Sequence, residues 1–479
     1  MDKLLKKKGY LTNNFRYRDM RDDYLVTTDH GSWLMLDKKE FEQLKTGSIS
    51  DKKFLSKLEG KGIVVTEKNK EKIKQDYRAR YHFLRQGTSL HIIVVTLRCN
   101  QQCIYCQTSS RSEKSEGYDM DEETARRTVD FIFNSSSKQI NIEFQGGEPL
   151  LNFKIIKFVA EYARKLNIKK KKDLIISVVT NLTLMTDEIL EYCIKNRISI
   201  CTSLDGPMKL HDSNRWFNRS SHALVAKWTK QIIEEYKKRS IDYTAMNALI
   251  TVTKETLKYP KDVVDEYIQL GLKAIHLRFL SKLGYAGKNK SKIEYSAEDF
   301  IKFWKTAVDY ILALNKKGIF FRERTVMNIL RKILQKRDPN YLDMRSPCGA
   351  VIGQMAYNYN GDIFCCDEGR MLEQDLFKIG NVKTDNYVNV VSSPESCAIV
   401  AASINDSQIC DYCVYKPYCG LCPVCNFAEQ GTTIGIIPQT TFCKVYKAQF
   451  DYVFDKYCYD KEAKKVFERW LGIRTKSKK

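Results

Sequence analysis

Cys99, Cys103 and Cys106 stand in the run TLRCNQQCIYCQ, a C-x3-C-x2-C spacing. Three thiolates on one short loop can bind three irons of a [4Fe–4S] cluster and leave the fourth iron without a protein ligand. Ligation by four cysteines favours electron transfer, whereas an open position is what chemistry at a metal requires. A zinc knuckle that borrows a fourth ligand from elsewhere is the competing reading, because zinc also takes short Cys spacings. The position of the loop favours iron–sulfur: it follows residues 91–96, which read as the first strand of an alternating β/α series.

A second set of thiols lies downstream. Cys348 is followed by Gly361, the adjacent pair Cys365 and Cys366, then Cys410, Cys413, Cys419, Cys422, Cys425 and Cys443. Thirteen of the 16 cysteines fall within 99–106 and 348–443. Cys193, Cys201 and Cys458 read as core or surface thiols. The run MDKLLKKKGY has positive charge but no apolar stretch behind it, so no secretory signal is expected. In a long, Lys-rich chain of this kind the cysteines point to metal or redox chemistry rather than disulfides. No apolar run approaches the roughly 20 residues of a membrane helix, and a soluble, cytoplasmic protein is expected.

The 80 basic and 58 acidic residues give a formal charge of +22. That balance suits an acidic peptide, an acidic electron carrier or nucleic acid, although runs such as 169–172 and 476–479 also read as solvated charge.

Three segments must position these groups. Residues 1–88 read as strand, turn, strand, two helices and a strand, a winged-helix-like arrangement followed by a charged linker helix. Residues 89–320 alternate strands, at 91–96, 139–144, 174–180, 199–203, 245–251 and 274–279, with helices. This is an α/β pattern, a parallel sheet closed or nearly closed into a partial (β/α)6 TIM-type barrel with its site at the C-terminal strand ends. Residues 321–479 are Cys-rich with weak periodicity, so metal ligation is expected to supply stability in place of an apolar core.

The second strand ends in FQGGEPLLN. Gly146 and Gly147 allow close backbone approach to a ligand, and the Glu148 carboxylate can accept hydrogen bonds from an ammonium, with Pro149 following. Thr180 and Asn181 follow the third strand, and Ser203 and Asp205 the fourth. Arg215 lies shortly after, a guanidinium able to pair with a carboxylate. Loop capping is the alternative for Asn181 and Asp205, and a surface ion pair for Arg215.

With Tyr105 directly before its last cysteine and the GGEP run after the second strand, this segment resembles the radical S-adenosylmethionine (SAM) superfamily. The resemblance implies that the three-Cys cluster and SAM are bound together, with Tyr105 at the adenine edge. Gly146, Gly147, Glu148 and Pro149 would hold the methionine end, and Thr180, Asn181, Ser203, Asp205 and Arg215 would contact the ribose and carboxylate. It further implies reductive cleavage of SAM to methionine and a 5′-deoxyadenosyl radical, which abstracts hydrogen from an unactivated C–H bond.

The C-terminal pattern resembles the SPASM extension, which holds two auxiliary [4Fe–4S] clusters. Carried over by position, Cys410, Cys413, Cys419 and Cys443 bind one of them, and Cys348 and Cys366 help to bind the other. The family's next cysteine falls at Pro423, so this cluster is either completed by Cys422, Cys425 or Cys365 or absent, and one or two auxiliary clusters are implied. Asp367 stands where similar sulfatase-maturing enzymes place a catalytic base; capping is its alternative.

A finer resemblance, to His-Xaa-Ser system radical SAM maturases, rests on EFQGGEPLLN, TSLDGPMKLHDSNR, DEYIQLGLKAIHLRFLS, YNYNGDI with DEGRM, and CGLCPV. It implies a ribosomally made precursor peptide as substrate. Its leader would add as a strand to a PqqD-like N-terminal element, and a flavodoxin or ferredoxin would donate electrons. The rivals are an anaerobic sulfatase-maturing enzyme that makes formylglycine, a tRNA-modifying radical SAM enzyme, for which no aromatic-rich RNA-binding module is seen, and a non-catalytic zinc- or nucleic-acid-binding protein.

Overall fold

The computed structural model describes residues 9–473 apart from 243–245, 289–292, 337, 339–341, 373–374 and 407–408. It begins with β1 (Leu11–Thr12), β2 (Phe15–Met20), β3 (Asp23–Thr28), β4 (Trp33–Leu36), α1 (Lys38–Thr46), α2 (Lys52–Lys61), β5 (Val64–Val65) and α3 (Lys70–Arg80). Strands β2, β3 and β4 form an antiparallel sheet, and β1 pairs with β5. Asp37 starts α1 with a capping box to Glu40, and Gly47 ends it in the left-handed conformation. Val26, Leu36, Phe41, Leu44, Phe54 and Leu58 bury one another in a small separate core.

The sequence pattern misses β1 and β2. In β2, FRYRDM, the charges obscure the period of two because Arg16 and Arg18 reach across to Asp411 and Asp451 of the C-terminal segment. Thr27 Oγ1 donates to the carbonyl of Val414 at 2.7 Å, and Tyr418 OH donates to that of Gly31 at 3.1 Å.

The alternating segment folds as β6 (Leu90–Thr96), α4 (Glu122–Ile132), β7 (Gln139–Gly146), α5 (Phe153–Lys170), β8 (Asp173–Thr180), α6 (Asp187–Lys195), β9 (Ile198–Ser203), α7 (Ser221–Lys238), β10 (Asn247–Thr251), α8 (Pro260–Gln269) and β11 (Leu277–Arg278). Asp121, Thr186 and Ser220 cap α4, α6 and α7. Each strand lies parallel to the next. Ile140, Ile142 and Phe144 of β7 are buried on the helix-covered face, while Gln139, Asn141, Glu143 and Gln145 are half-buried on the inner face. Residue 245, the expected start of the fifth strand, lies outside the described residues. The expected sixth strand is split: Ala274–Ile275 pairs with Arg322–Glu323, and only β11 joins β10.

Two expectations need correction. β12 (Gln354–Tyr357) lies parallel to the outer edge of β6, followed by antiparallel β13 (Asp362–Phe364) and β14 (Lys378–Asn381). The sheet is therefore mixed, nine strands in the order β11-β10-β9-β8-β7-β6-β12-β13-β14. A boundary at 320 cuts across it. The Cys-rich segment is also not without apolar packing. Tyr415, Tyr418, Phe450 and Phe454 belong to the same continuous core as Ile93, Ile142 and Ile200 of the parallel strands. Helices α9 (Ala297–Lys316), α10 (Arg324–Leu334), α11 (Thr441–Tyr459) and α12 (Lys461–Trp470) complete this packing. No helix among the described residues is long and apolar enough to cross a membrane.

Candidate active site and cysteine clusters

An open cleft of about 1020 Å³ lies at the C-terminal ends of the parallel strands. Cys99, Cys103 and Cys106 line it, with Tyr105, Gly146, Gly147, Thr180, Asn181, Ser203, Arg215 and Asp367. Residues up to 268 positions apart in the chain thus meet because each follows, or faces, a strand end.

The thiol loop is held from two sides. Arg215–Trp216 pairs antiparallel with Gln102–Cys103, and Arg215 Nη1 points at Cys103 Sγ from 3.7 Å. On the other side Gly147 N donates to the carbonyl of Thr96 at 2.9 Å, and Glu148 N donates to that of Arg98 at 2.8 Å. A Cβ on Gly146 would stand 2.1 Å from the Thr96 oxygen, and one on Gly147 2.1 Å from the Arg98 oxygen. The two glycines therefore permit close approach to the thiol loop itself, a reason for the motif that the sequence reading did not contain.

Glu148 is buried behind the glycines and does not line the cleft. Its Oε1 accepts from Thr180 Oγ1 at 2.6 Å and Leu150 N at 3.0 Å, and its Oε2 accepts from Asn181 N at 2.8 Å. Burial pushes its carboxyl up to about 7 against these three donors. Pro149 begins the short 3-10 turn that follows and is buried away from the cleft. Asn181 lines the cleft, and its amide donates to Asn100 Oδ1 at 3.0 Å.

Asp205 is fully buried and also off the cleft wall. It accepts from Arg215 Nε at 3.1 Å and Nη2 at 3.4 Å, and from Tyr105 OH. The Arg215 guanidinium lies 5.3 Å from the Tyr105 ring centre. Asp205 thus fixes Arg215 and Tyr105, and the pairing expected between Arg215 and a ligand carboxylate is already made within the protein. Tyr105 is buried with its hydroxyl on Asp205 and still lines the cleft.

Burial pushes the Cys103 thiol up to about 12, while Arg215 pulls it down. Burial and the neighbouring Cys103 and Glu148 raise Cys99. Thiols in this state bind iron as thiolates only when the metal supplies the compensating charge.

Asp367 follows Cys366, whose Sγ accepts from Gly369 N at 3.3 Å and so caps the short helix Asp367–Arg370. The Asp367 carboxylate enters the cleft with one oxygen bound by Arg370 Nε at 2.8 Å. Gln145, Thr251, Arg278 and Met371 also line the cleft and were not picked out from sequence. Gln145 and Arg278 carried one usable signal, their inner-face positions at the ends of β7 and β11.

The downstream thiols form two neighbouring groups. Cys410, Cys413, Cys419, Cys422 and Cys443 line one cavity of about 520 Å³. Cys419 is raised first by burial and then by Cys413, Cys410 and Cys443, which places those four together. Cys422 and Cys425 line a second cavity with Glu368 and Arg278, and Cys422 is shared by both. Cys365 Sγ lies 3.7 Å from Cys366 Sγ, and Cys422 acts on Cys366. Cys348 is buried, with its Sγ accepting from Ala350 N at 3.3 Å. The fold thus brings Cys365 and Cys422, two of the three substitutes considered from sequence, to Cys366.

Among the described residues no three or more His, Cys, Asp or Glu side chains converge as a single metal ion requires. One zinc ion with Zn–S bonds of about 2.3 Å needs tightly gathered sulfurs. Three thiols on one loop, and those of Cys410, Cys413, Cys419 and Cys443 around one cavity, are donor sets that suit an iron–sulfur cluster.

Residues 93–289 match the Radical SAM superfamily and form a radical SAM domain. The chain is 25% identical over 381 residues to a cysteine-type anaerobic sulfatase-maturating enzyme of Clostridium perfringens, covering 77% of this chain and 96% of that one. Among solved structures, native anSMEcpe with bound AdoMet superposes with a TM-score of 0.66 at 21% identity, covering 80% of this chain and 100% of that one. Streptococcus suis SuiB bound to precursor peptide SuiA gives 0.52 at 14% identity, covering 89% and 98%. These likenesses establish the α/β fold with its central mixed sheet.

Proposed function

We propose that this radical SAM enzyme binds a three-Cys [4Fe–4S] cluster and SAM in the cleft and modifies a ribosomally made precursor peptide. The observation that carries the reading is the convergence of Cys99, Cys103 and Cys106 with Gly146, Gly147, Asn181 and Ser203 on one cleft. When bound, the cluster and SAM supply a 5′-deoxyadenosyl radical that takes a hydrogen atom from the substrate. The protein's part is positional. The glycines lock the loop against β6, Asp205 holds Arg215 beside Cys103, and Glu148, buried behind the cleft, holds Thr180 and Asn181 on its wall. Cys410, Cys413, Cys419 and Cys443 would hold one auxiliary cluster. Cys348 and Cys366, with Cys422 and Cys365 beside Cys366, would hold a second.

The peptide reading draws support from SuiB, whose structure contains its precursor peptide, and from the three-stranded β2–β3–β4 sheet, whose edge strands β2 and β4 each have one side unpaired within that sheet, as strand addition by a leader requires. The sequence phrases quoted above favour the His-Xaa-Ser maturases, and a flavodoxin or ferredoxin would donate electrons. Asp367 in the cleft, with the sulfatase-maturating relative, favours a second reading in which a Ser or Cys becomes formylglycine.

Anaerobic reconstitution with iron, sulfide, SAM, reductant and the peptide encoded beside the gene separates these readings. Formation of 5′-deoxyadenosine together with loss of a pair of hydrogens from an aldehyde-free peptide supports the maturase. A hydrazide-reactive aldehyde on a sulfatase peptide supports the alternative, and absence of 5′-deoxyadenosine defeats both.

A further inference from the structure

At the opposite end of the parallel strands lies a second cavity, of about 790 Å³, that the reaction above does not use. Its wall includes Asn247 at the start of β10, Arg322 just before α10, and Arg324, Asn328 and Arg331 on α10. Three guanidinium groups thus face one space, and among the described residues none of the three is in an ion pair with a carboxylate. Burial depresses Arg322 most, and Arg331 depresses it further; Asp242 opposes them with a smaller effect. The adjacent acid, Glu323, is turned away: it caps α10 by accepting from Val326 N at 2.8 Å and also accepts from Leu277 N at 3.3 Å. Arg324 faces Glu143 across the inner surface of the sheet, but burial pushes that carboxyl toward its neutral form.

An independent observation marks the same space. Asn328 is 4% exposed, its Nδ2 has no hydrogen-bond partner, and it lines this cavity. A buried amide left unsatisfied costs about 1–3 kcal/mol. An acceptor placed in the cavity would satisfy Asn328 and neutralise the arginines together.

We infer that this cavity is an oxyanion site, taking a carboxylate or phosphoryl group through Arg322, Arg324, Arg331 and the Asn328 amide. Its place on the sheet gives it a use. Four residue steps along β10, at about 3.3 Å each, separate Asn247 from Thr251 in the thiol cleft, a span of about 13 Å. An acidic residue of a peptide substrate held here would set a residue about four positions away near the reacting end. Only that use rests on the proposed reaction; the site itself does not.

The test is isothermal titration of the reconstituted full-length enzyme at about 150 mM KCl, where diffuse surface attraction is screened. The probes are inorganic phosphate and a blocked tetraglutamate peptide. Saturable binding is expected, weakened about tenfold or more in Arg322→Gln/Arg331→Gln and unchanged in Lys169→Gln/Lys170→Gln. Arg324→Gln, at an exposed position, serves the same purpose should the double variant fail a circular dichroism check. Peptide binding assigns the anion to a polypeptide carboxylate, and phosphate binding without peptide binding assigns it to a small free anion. Absence of saturable binding by either probe, or equal weakening by the lysine pair, overturns the site. SAM cleavage by the same preparation reports separately on the reaction.

Discussion

The thiol loop at 99–106 and the cysteine region at 348–443 present the same side chain on different scaffolds. The first hangs from β6 and is clamped by the GGEP backbone and by Arg215, each held by parallel strands with a buried apolar face. The second is set on short 3-10 turns and helix caps: Cys410 lies in one such turn, Cys419 ends another, and Cys422 caps a helix through Cys425 N. Loss of ligation should therefore remove function at the first site and remove order at the second.

The largest expected effect comes from exchanging single ligands between the two. Cys103→Ala should abolish 5′-deoxyadenosine formation while the circular dichroism spectrum and melting temperature stay near wild type. Cys419→Ala, or iron removal by a chelator, should speed proteolysis between 405 and 443 while the parallel strands stay protected. Equal loss of order in both variants would break the comparison.

Next is Asp205→Asn. It leaves the Arg215 guanidinium buried without its carboxylate, and breaking one partner of such a pair costs about 3–5 kcal/mol. Chemical denaturation measures this, and the visible spectrum of the reconstituted protein should report a disturbed Cys103 site. A smaller global effect is expected for Gly147→Ala. A Cβ there meets the Arg98 oxygen at 2.1 Å, so the loop must move. Stability should fall by about 1–3 kcal/mol, with SAM cleavage falling out of proportion to it.

The smallest expected effect lies away from both cysteine regions, in Glu323. Burial raises its carboxyl from 4.5 to about 7 in the folded chain. Between those values the unfolded chain has lost the proton and the folded chain retains it, so stability falls as pH rises through this window. Wild type should lose more denaturant midpoint than Glu323→Gln on going from about pH 5 to about pH 8. Parallel curves would exclude the buried carboxyl as the cause.

The sequence by itself determined the local features. Apolar runs of β-branched residues marked five parallel strands closely, because burial on the helix-covered face demands them. The spacing of Cys99, Cys103 and Cys106 and the GGEP run marked the cleft, because ligands on one loop need short separations. Long-range partners decided the rest. β2 was hidden because its arginines pair with Asp411 and Asp451, hundreds of residues away. The extension of the sheet past residue 320 was hidden because β12 is four residues long and gains its neighbour, β6, only on folding. The inward turn of Asp205 onto Arg215, the shared place of Cys422 and the three arginines at the far mouth depend on distances between elements. A linear pattern fixes which side chains exist and which face they take, but packing alone sets which faces meet.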